Sequence, residues 1–301
     1  MMPSLATALP PFTPNLLQDV QEILRYDFMR QALLAGTLLS VVAGLVGYFV
    51  VLRHQAFAGE SLSDVAFTGA LAGAAFGINP VLTLLLITTV VALLMGGLGE
   101  RLQRRDVAIG TVLAWVLGVG VLFLSLFTSR ISGTGTGFSG VAILFGNILG
   151  ISGPQTRTIA IISILAIVIL AMIARPLLFA SIDPDVAAAR GVPVSILGLG
   201  FMVLLAVTVS EATLAVGALL VFALLLLPAA IAHKVTTRPY AGMALAATLA
   251  VVTTWMGVAI GFYTDYPSSV CISLLAFVAY IAAIGFGALP RVLGHSAGKL
   301  V

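Results

Sequence analysis

Charge is scarce in this chain. Of its 301 residues only 8% are Asp, Glu, Lys or Arg, about a third of the share in an ordinary soluble domain. Cysteine is scarcer: Cys271 stands alone, which excludes an internal disulfide, and it lies in an apolar run where a small buried thiol is at home. The three histidines, His54, His233 and His295, have no neighbouring nucleophile and no HExxH spacing, so a membrane-embedded enzyme has no foothold. The glycine-rich run 132–140 lacks the Gly-Lys-Ser/Thr of a phosphate loop and reads as a plain loop. The apolar stretch 141–149 is too short to span and suits a re-entrant or interfacial helix. Residues 1–26 are broken by Pro3, Pro10, Pro11 and Pro14 and have no basic stretch ahead of an apolar one. They read as a loose tail with an amphipathic lead-in, not a cleaved signal.

Hydrocarbon is what the chain has in plenty. Sixty per cent of the residues are hydrophobic and the mean hydropathy is +1.19, which fits an all-α polytopic membrane protein. Runs of about 20 apolar residues, the length that crosses a ~30 Å hydrocarbon core, occur at 28–52, 60–78, 80–99, 107–128, 156–174, 193–210, 213–232, 241–263 and 268–289. That makes about nine transmembrane helices, or eight to ten given the weaker runs that begin at Glu60, Pro193 and Thr213. They form a single transmembrane domain over 27–290, with 291–301 as a C-terminal tail. With the N-terminus outside and the C-terminus in the cytoplasm, ten of the 14 Lys and Arg residues fall inside and four outside. This follows the positive-inside rule, so the net charge of +3 reports topology and not nucleic-acid binding.

Several local patterns carry expectations. Gly36, Ser40 and Gly44, four apart in the first run, form a stripe that lets another helix come close. Asp106 suits a helix start, and Asp265 among tyrosines suits a turn. Ser210-Glu211 reads as a turn between two spans, with Glu211 at its edge or drawn toward a pathway. Pro228, near the end of its run, should kink the helix. Asp183 before Pro184 opens a short helix that Gly191 and Pro193 close, too polar to span. It suits docking to a partner, or serves as a plain connection.

The most informative stretch is 56–69, where Glu60 and Asp64 stand four apart and so share one helix face. Carboxylates this close to hydrocarbon need a cation or a proton between them, and an ionisable residue in a membrane segment marks a functional site by default. Ser61, Ser63, Thr68, Gly69, Gly73 and Gly77 dilute the apolar content, which suits a pore-lining or bundle-centre helix better than a lipid-facing one. The residues alone leave two settings open: a pathway lining, or the water-facing mouth of a helix with Glu60 in its first turn.

Five stretches together resemble the permease subunits of metal-ion ABC importers, the family that serves zinc, manganese and iron uptake. They are Phe28–Gly36 with Gly44–Arg53, Gly59–Gly69, Leu144–Ile148, Asp183–Gly191 and, most specific, Gly217–Ala232. The resemblance implies an ABC importer permease-type bundle in a bacterial cytoplasmic membrane. Its partners would be a second copy of the chain, a cytoplasmic ABC ATPase dimer, an extracytoplasmic metal-binding protein and membrane lipid, with no nucleic acid. A divalent metal ion would be substrate, and no cofactor would be bound permanently. Asp183, Asp185, Arg190 and Gly191 would belong to the helix that couples to the ATPase, and ATP hydrolysis would occur on that separate subunit. The family pattern Gly-Asp-x-x-Ser-His is altered here to Gly59-Glu60-Ser61-Leu62-Ser63-Asp64, which replaces an imidazole by a hard oxygen donor. Glu60 and Asp64, with Ser61 or Ser63, would then contact the ion, and the oxygen-rich set leans toward manganese or iron over zinc. A permease for a metal chelate or cobalamin-like compound, and a proton-coupled secondary carrier, are the alternatives.

Overall fold

The computed structural model describes residues 26–99, 105–131, 146, 148–264 and 266–297. Expectations for the tail, for most of 132–147 with its glycine run, for the C-terminal residues 298–301, for Asp265 and for the side chain of Asp106 lie outside the described residues.

Among the described residues ten α-helices follow one another: α1 Asp27–Leu52, α2 Ala56–Phe76, α3 Pro80–Gly99, α4 Arg105–Ile131, α5 Gly153–Ile182, α6 Pro184–Ala189, α7 Val194–Val216, α8 Ala218–Val235, α9 Pro239–Thr264 and α10 Ser268–Ala297. All but α6 have 18 residues or more. Seven of them, α1, α3, α4, α5, α7, α9 and α10, are long and apolar enough to cross a membrane. α8 contributes a shorter apolar stretch, Leu220–Val235. α2 is long enough but is diluted by its acids, serines and glycines. The chain is an all-α polytopic membrane protein.

α1 is the axis of the bundle, packed by α5, α7, α8 and α9. Its small-residue stripe does what the spacing predicts. A Cβ on Gly44 would lie 2.7 Å from the Ala246 carbonyl oxygen of α9, so only glycine permits that approach. One turn away the Ser40 and Thr254 hydroxyls meet at 2.6 Å, satisfying two buried polar groups at once. Large side chains that are wholly or nearly wholly buried, among them Phe49, Leu62, Phe201 and Leu205, fill the space between α1, α2 and α7. α4 and α5 carry exposed apolar side chains such as Trp115 and Met172, as a lipid-facing rim requires.

Two helix boundaries differ from expectation. α5 does not stop at Ala174 but runs through Pro176 to Ile182; proline removes one backbone hydrogen bond, which a 30-residue packed helix tolerates. α7 does not end at Ser210-Glu211 either: both residues are helical and buried, and the break comes at Gly217. Gly217 has φ 95° and ψ 151°, a conformation open essentially to glycine alone. Here an intramembrane glutamate imitates a surface turn in the sequence, while the real break is carried by a buried glycine. Pro228 lies inside α8, which stays helical to Val235.

Candidate translocation site

The turn Arg53–Gln55 carries the chain from α1 into α2, with His54 at φ 52°. From there α2 presents two different faces. Phe57 and Glu60 are exposed and Asp64 and Phe67 partly so; the spacing of three, four and three residues draws one continuous stripe along the helix. Glu60 and Asp64 sit one turn apart on it, about 6 Å along the axis. The opposite face is sunk in the bundle against α3, α4, α7 and α8.

Ser61 and Ser63 belong to that buried face. The Ser61 hydroxyl donates to the Phe57 carbonyl at 2.8 Å, and the Ser63 hydroxyl donates to the Ala218 carbonyl at the start of α8. The structure therefore brings Glu60 and Asp64 together on an accessible surface and sets the two serines apart, against backbone. Among the described residues no three His, Cys, Asp or Glu side chains cluster closely enough to hold a metal ion. Two carboxylates from one chain supply up to four oxygens, so closing a coordination sphere around an ion calls for water or a second chain.

At the end of the bundle where α1 meets α2, α6 bridges α5 and α7. Asp183 caps it, accepting from the Val186 N–H at 3.0 Å, and Gly191 at φ 82° turns the chain out of it. Asp185 and Arg190 are exposed, and the Arg190 guanidinium lies 5.8 Å from the centre of the Phe179 ring. Arg53 ties this corner to the acid-bearing helix. Its guanidinium donates to the Ser181 hydroxyl at 3.2 Å, just before α6, and lies 5.6 Å from the centre of the Phe201 ring, inside α7. The sequence marks Arg53 only as the end of the first apolar run; its signal, an arginine directly ahead of the acidic helix, has meaning only once α5 and α7 are placed beside it.

Helices that cross and recross hydrocarbon, one of them carrying exposed acids, define a multi-pass membrane protein with a polar seam. The chain belongs to the ABC 3 transport family, whose family model matches residues 25–287. It is 30% identical over 284 residues to the manganese transport system membrane protein MntC of Halalkalibacterium halodurans, covering 93% of this chain and 94% of that one. It is 29% identical over 253 residues to the high-affinity zinc uptake system membrane protein ZnuB of Buchnera aphidicola, covering 82% and 95%. In fold it is similar to a chain of PsaBC from Streptococcus pneumoniae, with a TM-score of 0.77 at 23% identity over 89% of this chain and 94% of that one.

Proposed function

We propose that this chain is the membrane permease of an ATP-driven importer that takes up a divalent transition-metal ion, and that Glu60 and Asp64 contact the ion in transit. The paired carboxylates on the accessible stripe of α2 carry this reading, with support from relatives named for manganese and zinc transport. Two such stripes facing each other across a dimer of this chain would supply four carboxylates and leave room for water. That set is weak enough to release its ion, as transport requires. Its oxygens are hard donors, which favours manganese or iron(II) over zinc. The exposed helix α6, on the cytoplasmic side in an N-out, C-in topology, would dock on a separate ATPase, and a metal-binding protein would deliver the ion from outside.

The test is uptake of labelled manganese, iron(II) and zinc by proteoliposomes holding the permease with its ATPase and binding protein. Manganese or iron should be taken up in preference to zinc, only with ATP. Glu60→Gln and Asp64→Asn should each lower the rate tenfold or more while the ATPase stays bound. Unimpaired uptake by both variants would remove the site, and zinc preference would remove the donor argument.

A further inference from the structure

α5 and α7 are the two spans that α6 joins, and their contact is incompletely filled. An apolar groove of about 130 Å³ lies between them, lined by Ile162, Leu165 and Ala166 on α5 and by Gly200, Leu204 and Val207 on α7. On the same faces the Ser163 hydroxyl donates to Oε1 of Glu211 at 2.7 Å. Ser163 is wholly buried and Glu211 is 2% exposed. The second carboxyl oxygen, Oε2, is buried without a hydrogen-bond partner.

No described charge answers this group. α7 is packed by α1, α2, α3, α5, α6 and α8. On α5, Arg157 and Arg175 are exposed, and α3 has no ionisable residue. On α2, Glu60 and Asp64 occupy the accessible stripe, and Asp185 of α6 is exposed. Arg53, directly after α1, is engaged with Ser181 and Phe201; on α1, Tyr48 stacks on His233 of α8, and Arg30 pairs with Asp27. Lys234 of α8 lies over the Tyr280 ring. One carboxyl and one hydroxyl are too few donors for a metal ion, which takes four or more. A proton needs only one. An ionised carboxylate in hydrocarbon without a counter-charge is far costlier than the neutral acid.

We propose that Ser163 and Glu211 form a proton-binding site inside the bundle: the Ser163 hydroxyl ties α5 to α7 through Oε1, and Oε2 holds a proton that is released when the two helices part. The site stands on burial and pairing; only its link to a docking helix rests on the proposed function. When the helices separate, water reaches Oε2 and the proton leaves to it, so the site senses the spacing of the two spans on either side of α6.

The experiment is infrared spectroscopy of the full chain in lipid, titrated from neutral to alkaline pH, which needs neither metal nor ATPase. At neutral pH the wild type should show the carbonyl band of a protonated, unhydrated acid. Glu211→Gln should lose that band, and Ser163→Ala should shift its frequency through loss of the donor. The band should vanish reversibly at alkaline pH. A neutral-pH spectrum with no band sensitive to either variant overturns the proposal, because the acid is then ionised. A band unchanged across the whole titration also overturns it, because the acid is then a fixed structural donor. Should Glu211→Gln fail to insert, Ser163→Ala decides alone: no shift means no site.

Discussion

Single atoms set the closest contacts of the bundle. Gly44 lets the backbones of α1 and α9 approach to a distance that no larger residue permits. Gly44→Val should therefore force the helices apart, at a cost of roughly 1–3 kcal/mol as for other overpacked sites. Ser40→Ala leaves the buried Thr254 hydroxyl without its partner, a loss of about 1–3 kcal/mol. Thermal unfolding in detergent, followed by the accessibility of Cys271, measures both: that thiol is 8% exposed when folded. An unchanged midpoint in both variants would mean that this contact adds nothing to stability. At this same scale the acids at 60 and 64 were legible in the sequence, because a four-residue spacing fixes a shared face. The serines beside them were not: spacing places Ser61 and Ser63 near the acids but cannot tell that both hydroxyls turn to backbone carbonyls.

Among elements, the short helix α6 and the turn ahead of α2 belong to one corner, with Arg53 reaching from one to the residues that flank the other. Arg53→Gln keeps a donor but loses the charge and the ring contact. If the chain works with an ATPase as proposed, the change should lower uptake several-fold while the ATPase still docks, as read from uptake set against ATP hydrolysis. Asp183→Ala removes the cap of α6 and should cost about 1 kcal/mol locally, seen as faster amide exchange over residues 185–189 than in the parent chain. Equal exchange would show that Pro184 alone holds the helix start. The sequence spelled out α6 in full, since Asp-Pro and a following glycine are local signals. It hid the α7–α8 junction, because Gly217 is one glycine of 31, and its backbone angles depend on what packs around it. The small stripe of α1 announced a close helix partner but not which one; that is decided by residues two hundred positions away.

For the molecule as a whole, the accessible stripe of α2 raises the question of what faces it. If a second copy does, a cysteine there will find its twin. With Cys271 replaced by alanine, Phe67→Cys, on the stripe, should form an oxidised dimer band in membranes. Leu62→Cys, on the wholly buried face, should not. Monomer bands from both would show that no second copy faces this stripe. The stripe has a further consequence during synthesis. An acid at a helix centre opposes insertion by about 2.5–3.5 kcal/mol; Asp64 lies toward the middle of α2 and Glu60 a turn nearer its start, in a helix with little apolar surplus. It is not among the described helices that are apolar enough to cross. α1 and α3, both apolar enough to cross, emerge just before and just after it, and α3 packs along it. The helix that bears the acid pair is therefore expected to enter lipid as a passenger of its neighbours during biogenesis.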